Sequence, residues 1–481
     1  MIKNYFRVSL LLLLLGTVSQ TSSAIVVPLG IHPFEFVYQN IERNETLNQD
    51  TFFYPVAPYL LDTTYALPAS LSFLKTSEKK INYFLIGNES FQTNSFQTPT
   101  YYEILRGGFT GKLSSHISIY ANISLDETKA KDITYTGKKW RGLAGGVEQS
   151  FVTATYNNFT LHAGRFASFW GIQKSILLAG SNALDGFQYT FHYRKISLTY
   201  RFAKLNQLQT DLQTSEFDNR YFVGHRLDFR LHKNLKFGIF ESIIFGGVGR
   251  TAEFNYLNPL MSYHVEQLNN NVNDNSFIGG DFVYYPKQNM KLYGQLIIDD
   301  FQIDDKTQGD QEPNEYGLIL GSYLVNIFPS YDLRVEYIKI TNRTYNQAYE
   351  RNRYTFENIS LGYFNENDFD KTNFFVTKWL SQTSLVALNF SYKRKGEGNI
   401  NDNWTEPWLD TNDPYTESFP FGVVEKTTHL SGQFKGFLYK NFYLDTELGI
   451  ESIQNRNNIK ADSEQNSFIH ISLHAFFSGQ L

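Results

Sequence analysis

Residues 220–301 hold two hairpins separated by one long insertion. The first reads RYFVGHRLDFRL-HKN-LKFGIFESIIF, Arg220 to Phe245. The second reads NSFIGGDFVYY-PKQNM-KLYGQLIIDDF, Asn275 to Phe301. Each arm runs about ten residues, alternates apolar with polar or small side chains, and ends in a short polar turn. Between them, 246–274 contains FNYLNPLMSYHVEQLNNNVND, too long to connect two strands of a compact soluble sheet. Strands of that length, with tight turns at one end and long loops at the other, describe a transmembrane β-barrel.

The same alternation extends outward. Short turns fall at Ser114-Ser115, Asn157-Asn158, Arg194-Lys195, Lys233-Asn234, Lys287–Asn289, Pro329-Ser330, Ser381-Gln382 and Tyr439–Asn441. Between them lie long polar connections near 126–146, 167–184, 205–219, 246–274, 302–313, 343–371, 395–423 and 452–465. Eight short turns give sixteen strands. A lone strand near Ile81–Gly87 and a last one at Asn466–Phe477 bring the barrel to about 18, an even count. The stretch ENISLGYF, within 343–371, reads as either a further strand or a folded loop.

Side-chain parity assigns the faces. Ile117, Ile119, Ala121, Ile123 and Leu125 face lipid, as do Val386, Leu388, Phe390 and Tyr392, and Ile469, Ile471, Leu473 and Ala475. The alternate rows, such as Asn389, Ser391 and Lys393, face a polar lumen. With 42 Phe and 32 Tyr the chain is 16% aromatic, enough for girdles at both membrane interfaces. A polar lumen accounts for the low mean hydropathy of −0.35.

At the start of the chain, Lys3 and Arg7 precede an apolar run, Val8–Leu15, and a Ser22-Ser23-Ala24 cleavage pattern. Residues 1–24 therefore read as a signal peptide. No Cys follows to accept a lipid anchor, and the absence of Cys excludes disulfides and thiolate metal sites. Residues 25–80 form a periplasmic or lumen-plugging segment, with Phe34, Tyr38 and Ile41 near one face of a short helix over His32–Glu42. Residues 81–481 are the barrel. The net charge of −5 is spread along the chain and points to no nucleic acid. The composite is an all-β transmembrane antiparallel barrel of the bacterial outer membrane, in contact with lipid.

Parity also places charge. Arg226, Asp228 and Arg230 project inward from one strand, Asp281 from another and Asp299 from a third, followed by Arg334 and Glu336. They read as a salt-bridge lattice stiffening the wall, or as an ion or sugar path. Glu241 shares its row with Phe237, Ile239, Ile243 and Phe245, an otherwise lipid-facing set, which predicts a β-bulge or a place near the outer rim. In the loops, aromatic rings suited to stack on pyranose faces accompany amides and acids suited to bind hydroxyls. The glycan-binding candidates are Tyr256, Asn258, Tyr263 and His264 in one loop, and Trp404, Trp408 and Asp410 in another. Trp140 and Trp170 are further candidates, with a girdle position the alternative for Trp170. His162, His225, His232, His264 and His470 are scattered, and no catalytic motif, cofactor or metal site emerges.

Several runs resemble the Wzi-like capsule-assembly family of outer-membrane proteins. They are HRLDFRL, GIFESIIFG, YLNPLMSYHVEQ, DNSFIGGDFVYY and LYGQLIIDDFQ, with AGRFASFWGIQKSILLAGSNALDGF (Ala163–Phe187) upstream and LGYFNENDFDKTNFFVTKWL (Leu361–Leu380) downstream. The resemblance spans roughly residues 100–395. It implies an 18-stranded barrel with a small periplasmic helical element. It also implies a non-enzymatic surface lectin that holds capsular or exported polysaccharide. A diffusion channel, and an accessory subunit binding other outer-membrane proteins, are the competing readings of the barrel itself.

Overall fold

The computed structural model describes residues 24–49, 56–62, 65–95, 97–131, 135, 137–172, 174–209, 216–301, 311–363, 366–410 and 415–481. The proposed signal peptide falls outside them, apart from Ala24. Among the described residues, eighteen long strands close into one barrel. The first six are β1 (Lys80–Asn94), β2 (Gln97–Lys112), β3 (Ile117–Asp126), β4 (Leu143–Tyr156), β5 (Phe159–Phe169) and β6 (Ala179–Tyr193). Next come β7 (Ile196–Lys204), β8 (Asp218–His232), β9 (Leu235–Val248), β10 (Asn275–Lys287), β11 (Met290–Asp300) and β12 (Glu315–Phe328). The wall finishes with β13 (Tyr331–Ile340), β14 (Phe369–Ser381), β15 (Ser384–Lys395), β16 (Glu425–Tyr439), β17 (Phe442–Gln454) and β18 (Ser463–Gln480). Each strand pairs antiparallel with the next, and β18 closes on β1 from Phe468↔Asn94 to Gln480↔Asn82.

All eight short turns lie where the sequence puts them. The first strand is longer than Ile81–Gly87, because β1 and β2 stay paired as far as Asn94↔Gln97. ENISLGYF is a folded loop: only Thr355–Phe356 and Ile359–Ser360 pair, and they stand apart from the wall. Outward residues such as Ile123, Leu388, Leu448 and Ile469 are exposed, while Asn122, Ser391 and Ser472 on the alternate rows are buried. Near the turn end, Tyr83, Tyr156, Tyr193, Phe328 and Tyr439 form an exposed aromatic ring. It marks the periplasmic interface.

The lumen is filled partly by the chain's own N-terminal segment. Helix α1 (His32–Asn48) is longer than the sequence predicts. It starts with Pro33 in the first turn and ends at Gln49 in the left-handed region. Phe34, Phe36, Val37, Tyr38 and Ile41 are all buried, so the first half of α1 is covered on most of its surface, with Glu35 left exposed. Phe36 packs among Trp379, Phe437 and Tyr443 at the periplasmic end, with ring centroids 5.7–6.2 Å apart. The Tyr38 hydroxyl donates to the Val27 carbonyl at 2.5 Å, tying α1 to a small ribbon made by Ala24–Val27 and Tyr59–Asp62.

Candidate functional site

The second half of α1 is charged, and its charges are met from the wall. Glu42 accepts from Lys291 Nζ and Arg334 Nη2, each at 2.6 Å, and Arg43 Nε donates to Asp332 at 2.8 Å. Burial pushes the Glu42 carboxyl up, but Arg334 and Lys291 together outweigh it and hold its pKa at about 2. A second ionic cluster lies on the wall. Arg226 Nε donates to Asp228 at 2.9 Å, and its Nη1 and Nη2 donate to Asp281 at 2.5 and 2.8 Å. All three residues are buried, so the guanidinium offsets the desolvation of two carboxylates.

The single lattice drawn from parity is therefore two clusters, one of them completed by the plug helix. Asp299 accepts the Tyr345 N–H at 2.8 Å, and Glu336 accepts the Tyr293 hydroxyl at 2.8 Å. Among the described residues no ion pair ties Arg230 to either cluster. Glu42, Lys291, Arg43 and Asp332 escaped the sequence reading. For Glu42 and Arg43 the signal was only charge on a helix whose depth in the lumen was unknown, while Lys291 and Asp332 share the inward rows of β11 and β13.

Above these clusters two extracellular loops turn inward. The loop 170–178 hangs on Gln295, whose side chain accepts from Ser175 and the Ile176 N–H at 2.8 Å each and donates to the Trp170 carbonyl at 3.1 Å. Trp170 is fully buried against the inner wall, neither girdle nor exposed loop. The outer edge of its ring reaches Gly224, where a Cβ would stand 2.9 Å from it. Gly171, at φ +85°, passes the Asp281 carboxylate too closely for any side chain. The loop 341–368 caps this one: the Tyr354 hydroxyl donates to the Leu177 carbonyl at 2.7 Å, and the Tyr345 hydroxyl to that of Ile176.

Plug and loops leave a chamber of about 650 Å³ on the β12–β17 side. Its wall carries Lys371, Lys393, His429, Glu425, Glu447 and Glu451 among others, and its base is formed by Trp379 and Leu385, both in the cluster around Phe36.

The loop 249–274 behaves differently. Tyr256 and Tyr263 are buried, yet their neighbours Tyr200, Tyr221, Val223, Ile243 and Phe245 belong to outward-facing rows. This loop, with helix α2 (Tyr263–Asn270), lies against the outside of the wall over β7–β10. Tyr256 packs tilted against Phe245 and Tyr263 against His225, with centroids 4.6 and 4.5 Å apart, and both rings are fully buried, so neither offers a free face to a sugar. Asn258 is exposed and its side chain accepts the Leu260 N–H at 3.1 Å. His264 is exposed, with Nδ1 3.0 Å from the Ser276 hydroxyl.

Glu241 is explained by the same loop. The ladder runs through it without a bulge, from His225↔Glu241 on one side to Glu241↔Ile278 on the other. It is not at the rim either. It faces outward in mid-strand and accepts the His264 N–H at 2.6 Å and the Ser262 hydroxyl at 3.1 Å, with His225 Nε2 at 3.3 Å.

The other candidate loop forms an extracellular aromatic cluster. Trp408 is buried, the Arg343 guanidinium stacks on it at 4.9 Å, and Trp404 and Tyr415 meet its edges at 6.2 and 6.3 Å. Arg343 Nη1 donates to both Glu417 oxygens at 2.9 Å. Trp404 remains half-exposed, and Asp410, Glu406 and Leu409 beside it are exposed. Trp140, in another loop, is 63% exposed with Arg141 stacked on it at 5.1 Å. Arg343 and Glu417 carried no sequence signal, because an Arg from the β13–β14 loop meets a Glu from the β15–β16 loop only in space.

The family model described as capsule assembly protein Wzi matches residues 101–468. The chain is a member of the Wzi capsule-assembly family. No curated protein matches it closely enough to count. Among solved structures it is similar to Wzi of Escherichia coli, described as an outer-membrane, carbohydrate-binding β-barrel involved in group 1 capsule assembly. The identity is 13%, with 94% of this chain and 99% of that one covered at a TM-score of 0.61. OprD of Pseudomonas aeruginosa, at 8% identity and TM-score 0.46, covers 86% of this chain and 99% of its own. OccAB4 of Acinetobacter baumannii, at 9% and 0.46, covers 84% and 99%. Family and fold together place the protein in the bacterial outer membrane.

Proposed function

We propose that this barrel is a non-enzymatic surface lectin that binds capsular or exported polysaccharide through its extracellular loops. The observation that carries the reading is the Trp404–Trp408–Tyr415 cluster, braced by the Arg343–Glu417 pair. A buried, ion-paired base fixes Trp408, so the half-exposed Trp404 is presented without further ordering beside Asp410 and Glu406. An apolar ring face next to carboxylates matches a pyranose, which offers C–H on one side and hydroxyls at its edge. The inward loops and α1 support the same reading, since they occupy the lumen a pore would keep open.

The test is retention of polysaccharide on cells lacking the protein and on cells complemented with Trp404→Ala or Asp410→Ala. Loss of cell-attached polymer in the deletion, and partial loss in the variants, supports the reading. Normal retention in the deletion, with purified protein indifferent to the polymer, rejects it.

The charged chamber over β12–β17 favours a second reading, a solute path. Planar-bilayer conductance decides it: the lectin reading expects silence from the intact protein, and steady ionic current would establish the path.

A further inference from the structure

We infer that the loop 249–274 is a membrane-facing flap, latched onto the outer wall by Glu241 and presenting an apolar surface to the acyl chains of the outer leaflet. Three observations converge on it.

The first is depth. Phe237 stands two residues above the periplasmic start of β9 at Leu235, and Glu241 and Phe245 stand four and eight residues above it on the same outward row. A rise of about 3.3 Å per residue and a tilt of roughly 40° place them about 10 and 20 Å higher. The apolar band of such barrels is about 25 Å tall. The covered patch therefore runs from the middle of the hydrocarbon at Glu241 into its outer-leaflet half at Phe245.

The second is what the flap hides. Glu241, His225 and Ser276 make a polar seam on a face that would otherwise meet acyl chains, where unpaired polar groups are costly. Ser262 and the His264 N–H donate to Glu241 from above, and the His264 ring meets Ser276. The seam and the flap require one another.

The third is what the flap shows. Its outer face exposes Phe254 (91%), Leu260 (82%), Leu268 (65%) and Val265 (53%). Along α2, Val265 and Leu268 stand together on the face away from Tyr263, which is buried against the wall. These side chains continue the exposed lipid-facing row of Ile239 and Ile278 immediately below. A solvated loop would gain nothing from such a patch, whereas hydrocarbon contact buries it. Arg250 is neutralised by Asp274 and Glu253 at 2.5 and 2.8 Å, so the base of the flap brings no unpaired cation to the membrane.

The chain contains no Cys, so single nitroxides can be placed cleanly. The full protein, carrying labels at Leu260→Cys or Leu268→Cys, is reconstituted in phosphatidylcholine vesicles. Leu388→Cys on the lipid-facing wall and Thr405→Cys on an exposed loop serve as references. The flap labels should collide more with oxygen than with a water-soluble nickel chelate, as at Leu388→Cys. Preference for the chelate, as at Thr405→Cys, overturns the membrane-facing assignment. In the Glu241→Ala background the flap labels should lose their oxygen preference while the Leu388→Cys label and the heat-modifiable gel band stay unchanged. An undisturbed flap in that background overturns the latch.

Discussion

Two long loops leave the same rim of the barrel and pack on opposite sides of one wall. The loop 341–368 folds into the lumen, where Tyr354 meets Phe222 and Phe277 with ring centroids 6.0 and 4.5 Å apart. The loop 249–274 folds outward, where Tyr256 and Tyr263 cover Tyr221, Val223 and Ile243. Strand β8 serves both, giving Phe222 to the inner loop and its immediate neighbours to the outer flap. The inner loop closes a polar lumen around hydroxyl-to-carbonyl bonds, and the outer one seals a carboxylate from the membrane. Ring burial alone therefore does not say whether a loop plugs the barrel or clothes it; the parity of the wall residues beneath decides.

The comparison can be broken first from the inside. Arg226→Ala strands Asp228 and Asp281 in the wall below the loop 170–178, and removing one member of a buried ionic cluster costs about 3–5 kcal/mol. The melting of the heat-modifiable barrel should drop accordingly, and an unchanged melt would show that the cluster is dispensable. Tyr354→Ala removes a fully buried ring, at about 3–5 kcal/mol for a large aromatic. Hydrogen exchange should then rise in 170–178 and 341–368 but not in 249–274. A matching rise in the flap would show that the two loops fold as one unit.

Acid sharpens the contrast between plug and wall. The folded-state pKa of Glu42 is depressed, to about 2, so its contribution is complete above the ordinary carboxylate value and is lost as pH falls through 2. Between about pH 4.5 and 2, α1 should loosen before the strands do, and protease sites in 32–48 should open while the barrel band persists. Simultaneous loss would deny the helix a separate stability. The smallest effect belongs to the extracellular surface. Trp404→Ala should weaken polysaccharide binding by about 0.5–1.5 kcal/mol, a several-fold change, with no shift in the melt.

Much of this architecture was legible because β-structure repeats every two residues. That period, with the eight short turns, placed the strands, their faces and the inward charges Arg226, Asp228 and Asp281. The candidate site was less legible. Trp404 and Asp410 reach the surface, but Trp408 became the buried base of their cluster, and its partners Arg343 and Glu417 come from different loops. Glu241 was visible as an anomaly from its row alone, though not its remedy, which lies more than twenty residues away in a helix no periodic signal announced.

The hairpins of 220–301 thus yielded their wall to the sequence alone, since alternation and turn chemistry are local. The path of the insertion between them did not. Its rings, its one proline and its asparagines suit either side of the barrel. Only the closed tertiary structure, which sets Tyr221, Ile243 and Glu241 side by side on the outer face, made a surface for it to cover.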